Sequence, residues 1–277
     1  MKYFLTDLDG TLLRSDATLS DYTINSLKKF LEEGVAVSFA TARSYSSAIA
    51  VVHDVPWKYP MVLYNGAILY DPVENKIIDG FLLTAEEANE IIEIGKQFKL
   101  MPLLYVLDEN DEEKVFHEEL TTYGMVEFLK SRKGDPRYKL VDKLYCEKMH
   151  RALALTYIFQ RETLKPLMKA VREKFGDKIH ISLVKDTYIE NQYFLEFGHA
   201  NSDKKNGIKL WAAHMDCEVS EITVFGDNSN DVGMFETAGN SVAVSNAKKE
   251  LLHLAKHVTV SNDEDGVVKY ISDNYKL

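Results

Sequence analysis

Tyr3-Phe4-Leu5-Thr6-Asp7-Leu8-Asp9-Gly10-Thr11 is the stretch from which the fold is read. Tyr3 to Thr6 is a short β-type run, and it ends at an aspartate. A second aspartate follows two residues on, and Gly10 lets the chain turn sharply. On a strand, side chains at i and i+2 point the same way. At the end of a parallel strand, such a pair lies where open α/β sheets hold their ligands. Neighbouring carboxylates there can bind a hard cation through oxygen, or divide nucleophile and acid/base roles. A plain strand-end turn is the bland reading, because Asp-Gly is common in turns.

Working outward, β-type runs alternate with helix-periodic stretches, which is the pattern of a parallel α/β sheet. A helix is predicted near Ser20–Glu33, with Ile24, Leu27, Phe30 and Leu31 on one face and Gly34 past its end. Val35–Ala40 reads as a strand, Ser44–Val52 as a helix and Met61–Tyr64 as a third strand. Ala67–Tyr70 and Lys76–Ile78 read as a hairpin. The texture then changes. Thr84-Ala85-Glu86-Glu87 is a capping box that opens a helix to about Lys99. Leu103–Leu107, Arg151–Phe159 and Ile179–Lys185 are strand-like, Thr163–Phe175 is helical, and Tyr188–Phe197 holds one or two strands. This middle block has the content of a separate α+β unit. The first texture returns with a helix over Asp203–Met215, a buried strand over Glu221–Phe225, and a helix near Asn230–Ala238. Short strands at Ser241–Val244 and Val258–Val260 and a helix over Val267–Asn274 close the chain. The expected organisation is one α/β core, residues 1–81 and 198–277, with residues 82–197 inserted.

Three further stretches could carry chemistry. Gly226-Asp227-Asn228-Ser229-Asn230-Asp231 also follows a buried strand and opens a helix. Its oxygens suit Mg²⁺, although Ser, Asn and Asp are also ordinary helix caps. Thr41, Ala42 and Arg43 follow the second strand, where a hydroxyl and backbone N–H groups can hold phosphate oxygens; Thr as a plain cap is the alternative. Lys204 begins the helix after the inserted block and would add its charge to a helix N-terminus facing an anion; a solvated lysine is the alternative. His253 and His257 have i, i+4 spacing but no HExxH context, and read as surface residues at a helix end. The acidic run Asp108–Glu113 reads as a solvated loop, and Tyr64, Tyr188, Tyr193 and Phe194 as packing.

The 277 residues allow one large domain or two modest ones. With 45% hydrophobic and 27% charged residues, the chain is of globular type, which excludes collagen, wholesale disorder and a small disulfide scaffold. A net charge of −10 leaves no global basic footprint, so no nucleic-acid partner is expected. Two cysteines without CxxC spacing, Cys146 and Cys217, argue against a thiolate zinc site and fit a cytoplasmic location. No apolar run approaches ~18 residues, and the N-terminus turns acidic too soon for a signal peptide, so no membrane partner is expected.

Together these pieces resemble the haloacid dehalogenase superfamily of phosphohydrolases, and within it the Cof-type, sugar-phosphatase-like subfamily. Asp7-Leu8-Asp9-Gly10-Thr11 matches the family's first motif, Thr41 its second, Lys204 its third and Gly226–Asp231 its fourth. Asn65-Gly66-Ala67 and Asp265-Gly266-Val267 are phrases typical of the subfamily. The second motif usually reads Thr-Gly-Arg, and here Ala42 replaces the glycine. The third often reads Lys-Gly, and here Lys204-Lys205 stands, with Lys204 chosen by counting back from Gly207.

The resemblance implies a Rossmann-like parallel-sheet core with an inserted α+β cap domain. It implies a Mg²⁺-dependent phosphatase acting on a small phosphorylated metabolite, by default a sugar phosphate, as a monomer or weak homodimer. Asp7 would be the nucleophile that forms an aspartyl-phosphate, Asp9 the acid/base, and Lys204 a catalytic cation. Asp7, Asp9 (through its carbonyl), Asp227, Asn228 and Asp231 would serve the metal. Gly10, Thr41, Ala42, Arg43, Asn65, Gly66 and Asn230 would lie around the phosphate or substrate. A phosphotransferase with the same nucleophile, or a non-catalytic phosphate binder, are the alternatives.

Overall fold

The computed structural model describes residues 2–186 and 189–274, so Tyr188 lies outside the described residues. The chain forms two compact units: one combines the segments up to Gly80 and from Ser202 onward, the other is Phe81–Asn201.

The first unit begins with β1 (Tyr3–Thr6), α1 (Asp21–Glu32), β2 (Ala36–Phe39), α2 (Tyr45–Val52), β3 (Met61–Leu63), β4 (Ile68–Asp71) and β5 (Lys76–Gly80). Ser20 caps α1 by accepting from the Thr23 amide, and Ser44 caps α2 by accepting from the Ser47 amide. Every residue of β2 is buried, as a parallel strand covered on both faces requires. The third strand departs from the expected continuation of the parallel sheet. β3 pairs antiparallel with β4, and β4 with β5, in a separate three-stranded sheet. An isolated bridge, Ala40 to Val62, links it back. The tight turn Tyr64-Asn65-Gly66 returns the chain at once, which excludes a helical crossover.

The second unit contains α3 (Ala85–Gln97), β6 (Leu103–Leu107), β7 (Glu113–His117), α4 (Tyr123–Lys130), β8 (Tyr138–Leu140), β9 (Arg151–Phe159), α5 (Arg161–Phe175), β10 (Ile179–Lys185) and β11 (Tyr193–His199). Thr84 and Glu87 form the expected capping box. The strands make one sheet in the order β10-β11-β9-β6-β7-β8. Ile91 and Ile92 of α3 and Leu164 and Leu167 of α5 pack with Leu104, Leu155, Leu195 and Phe197. Met125 and Phe128 of α4 pack with Leu103, Val115 and Ile158. Sequence reading named no element between 113 and 151, yet β7, α4 and β8 lie there. The acidic run forms the β6–β7 turn, where the Asp108 carboxylate accepts from the Asn110 and Glu112 amides, and its last residue starts β7.

The chain returns to the first unit with α6 (Lys204–His214), β12 (Ile222–Gly226), α7 (Val232–Thr237), β13 (Asn240–Val244), α8 (Lys249–Leu254), β14 (His257–Thr259) and α9 (Gly266–Asn274). The five-stranded parallel sheet has the order β14-β13-β12-β1-β2. β1 thus pairs β2 on one side and β12 on the other, with Thr6 opposite Phe225. That register sets the chain's first and last acidic strand ends side by side. His253 lies on α8 but His257 opens β14, so the two do not share a helix face.

Candidate active site

Asp7 follows β1, and Gly226 ends β12 just before Asp227. Between them Gly10 adopts φ +77, and a Cβ built there would stand 2.6 Å from an Asp227 carboxylate oxygen. Glycine is therefore required both by the backbone angle and by the close approach of the two loops. Thr11 donates its hydroxyl to Asp227 Oδ1 at 3.2 Å. Carboxylate oxygens of Asp7, Asp227 and Asp231 lie within 4.8 Å of one another.

Lys204, the first residue of α6, is 1% exposed and enters this cluster from the side. Its ammonium donates to Asp7 Oδ1 and, at 2.7 Å, to Asp231 Oδ1. Lys205 is exposed, and its Cβ packs over Gly233. Successive helical residues diverge by about 100°, so one of the pair faces the acids and the other faces away. Asp231 Oδ2 accepts from the Asp227 and Asn228 amides, both at 3.0 Å. Asp231 is thus committed on both oxygens, to the lysine and to the loop that carries Asp227.

Three carboxylates face one ammonium, and the titration of Asp7, Asp227 and Lys204 reflects it. Burial pushes Asp7 up to about 8 despite the pull of Lys204, with Asp231 and Asp227 adding to the rise. Burial, then the Asp231 charge, pushes Asp227 up to about 6. Burial pulls Lys204 down, but Asp231 and Asp7 more than offset that and hold it above the usual lysine range. Oxygen donors that repel one another in this way suit a hard divalent cation. Asp7, Asp227 and Asp231 together form a group that could hold such an ion.

The Asp9 side chain takes a different course. It is half exposed, and Arg43 donates to it in bidentate fashion, Nε to Oδ2 at 2.7 Å and Nη2 to Oδ1 at 2.6 Å. Arg43 Nη1 also donates to the Ser47 carbonyl at 3.1 Å, so the guanidinium bridges α2 and Asp9. The stretch Leu8–Leu12 is a kinked turn and not a strand, which explains why Asp7 and Asp9 do not present one carboxylate face.

Thr41 is fully buried; its hydroxyl oxygen accepts from the Arg43 amide at 3.1 Å. Ala42 is exposed, so its methyl group meets no obstacle in place of glycine. Asn65 donates its amide to the Thr41 carbonyl, and Tyr64 donates its amide to the Arg43 carbonyl. Tyr64, Asn65 and Gly66 have φ of +49, +53 and +103, and a Cβ on Gly66 would collide with the Asp203 carbonyl. Three left-handed residues in a row bring this loop against the start of α6. Asn230 Nδ2 donates to Asn65 Oδ1 at 3.1 Å. Asn228 caps its own turn by accepting from the Ser229 amide at 2.7 Å.

Sequence reading missed some members. Thr11 was legible as the last letter of the first motif but was given no role. Asn246 and Asn262, described below, carried no local signal.

The chain matches the family model described as haloacid dehalogenase-like hydrolase over residues 4–271. It is 24% identical over 276 residues to the 5-amino-6-(5-phospho-D-ribitylamino)uracil phosphatase YitU of Bacillus subtilis, across 98% of this chain and 96% of that protein. It is 25% identical over 290 residues to YwtE of the same organism, which bears the same phosphatase name, across 98% of this chain and 97% of that one. A haloacid dehalogenase-like hydrolase from Bacteroides thetaiotaomicron shares the fold, with TM-score 0.80, 20% identity and 99% of each chain covered. With the family model spanning nearly the whole length, both acidic strand ends included, the chain belongs to the haloacid dehalogenase-like hydrolases.

Proposed function

We propose that this chain is a Mg²⁺-dependent phosphatase that hydrolyses a small phosphorylated metabolite of the sugar-phosphate class through an aspartyl-phosphate on Asp7. The observation that carries the reading is the buried cluster in which Lys204 bonds Asp7 and Asp231 beside Asp227. The residues placed in the reaction all lie in the unit formed by the two ends of the chain. The two Bacillus subtilis relatives are named for a phosphorylated ribityl compound, which supports a polyol or sugar phosphate here.

On this reading Asp7, Asp227 and the Asp9 carbonyl would hold Mg²⁺. When bound, the cation neutralises the cluster and the phosphate dianion, so that a carboxylate can approach phosphorus. The Asp7 carboxylate, fixed at one oxygen by Lys204, attacks phosphorus in line and the ester oxygen leaves. Asp9 gives that oxygen a proton and later takes one from the water that hydrolyses the acyl phosphate. Asp9 takes the proton it gives from solvent, and Arg43, which bonds both of its oxygens, orients it for that exchange. The Thr41 hydroxyl is a donor for a phosphoryl oxygen, and Lys204 offsets the charge that builds on the phosphoryl group.

The test is phosphate release from a panel of phosphometabolites, without any acceptor alcohol, with Mg²⁺ present or removed by EDTA. Release that needs Mg²⁺ and falls by several orders of magnitude in Asp7→Asn is expected. Full turnover in EDTA, or Asp7→Asn activity within tenfold of wild type, refutes the proposal.

A further inference from the structure

The turn between β13 and α8 touches both acidic loops at once. Asn246 Nδ2 donates to the Gly10 carbonyl at 2.8 Å. Two residues on, the Lys248 amide donates to the Asp227 carbonyl at 2.8 Å. These are the same two residues whose contact leaves no room for a Cβ. One short turn therefore fixes, from behind, the pair of loops that meet across the acid cluster.

The turn is itself held. Asn246 Oδ1 accepts from the Asn262 amide at 3.0 Å, and the side chain of Asn262, 3% exposed, donates to the Leu13 carbonyl at 3.0 Å. Beyond it Asp263 accepts from the Ser15 amide and hydroxyl, and Asp265 from the hydroxyls of Ser20 and Thr23. The late Asp265-Gly266-Val267 phrase thus belongs to a brace under the first acidic loop. Within this brace Asn246 is the one side chain that reaches the peptide next to Asp9.

We infer that Asn246 is a positioning residue that sets the spacing of the Asp7–Asp9 loop against Asp227, and so the affinity of the site for Mg²⁺. The inference rests on the Mg²⁺ reading given above. A side-chain amide donating to a carbonyl restricts that peptide's rotation, and the Gly10 peptide adjoins the Asp9 carbonyl. Without this bond Gly10 can drift from Asp227, and the cation's oxygens no longer hold their spacing. Residues that orient metal ligands from outside typically alter affinity by about 10–100-fold when removed.

The experiment is calorimetric titration of Mg²⁺ into the full chain, wild type against Asn246→Ala and Asn246→Ser. Both variants remove the reach to Gly10 at an exposed position, so at least one is expected to fold; a metal-free thermal melt checks this. Asn240→Ala is the control: Asn240 opens β13 and donates to the Tyr270 hydroxyl at 3.2 Å, away from the acids. The expected result is at least tenfold weaker Mg²⁺ binding in the Asn246 variants, with the control binding as wild type does. Unchanged Mg²⁺ affinity in a folded Asn246 variant overturns the inference, and so does an equal loss in Asn240→Ala, which would mean general loosening of the core. A wild-type chain that binds no Mg²⁺ refutes the cation reading itself and this inference with it.

Discussion

Replacing Lys204 by methionine keeps the length of a fully buried side chain and removes its charge. The ammonium bonds Asp7 and Asp231, both buried; Asp7, pushed up to about 8, is already largely protonated at pH 7, so the charge that the variant strands away from water is that of the Asp231 carboxylate. Leaving a buried ion without its partner costs about 3–5 kcal/mol. The alternative is for the stranded group to take up a proton. For an ordinary carboxyl with a pKa near 4, doing so at pH 7 costs about 4 kcal/mol, or ~1.4 kcal/mol per unit. The two routes agree, so metal-free Lys204→Met should lose ~4 kcal/mol at pH 7. By the proton route the loss should shrink to roughly 1.5 kcal/mol at pH 5. Urea unfolding in EDTA, followed by tryptophan fluorescence, measures this. The chain has two tryptophans, Trp57 and Trp211, both buried in the unit that carries the site, so the signal reports that unit. A loss under about 1 kcal/mol at pH 7, or one that does not change with pH, would refute the charge argument.

Gly10→Ala should lose stability by at least the ~1–2 kcal/mol of a left-handed non-glycine residue, and because the new methyl group displaces Asp227, the Mg²⁺-induced rise in melting temperature should fall as well. Arg43→Gln should slow an alkyl phosphate about 100-fold by releasing the acid/base Asp9, but leave p-nitrophenyl phosphate, whose leaving group needs no proton, within a few-fold of wild type; steady-state kinetics on the two esters decides this, and equal losses count against a role for Arg43 in holding Asp9. Mg²⁺ affinity should fall as pH drops below about 8, by up to roughly tenfold per unit, because Asp7 and then Asp227 bind protons that the cation must displace. Both carboxyls titrate higher when folded than when unfolded, so the native state binds more protons between about pH 4 and 8 and these two groups destabilise the metal-free fold as pH rises through that window; calorimetric Mg²⁺ titrations from pH 6 to 8 that show no trend would contradict the shift.

Much of this was legible in the residues themselves. Strand β1 and the acids that follow it come from a local pattern: four residues that fill a buried slot, then two carboxylates and a glycine where the chain must turn. Helix α3 was found from its Thr84–Glu87 capping box, a bond between near neighbours, and α1 and α6 from apolar residues spaced along one helix face, which is also a local signal. Lys204 followed from its place relative to Gly207, and on a helix that fixes direction. What was missed, β7, α4 and β8, lies in a stretch whose short elements lack a clear period and take their shape from the sheet they join.

The sequence by itself determined the alternation of the core, its two acidic strand ends and the family to which they point, because each rests on contacts within a few residues. Only the tertiary structure decided that Asp7 meets Asp227 and Asp231 while the Asp9 side chain turns to Arg43, that β3 leaves the parallel sheet, and that Asn246 fastens Gly10 from behind. Those facts depend on the parallel register of β1 against β12 and on how loops from opposite ends of the chain come to rest on each other. Spacing along the chain carries no record of such distances, since they are set by packing between segments that meet only once the sheet has formed.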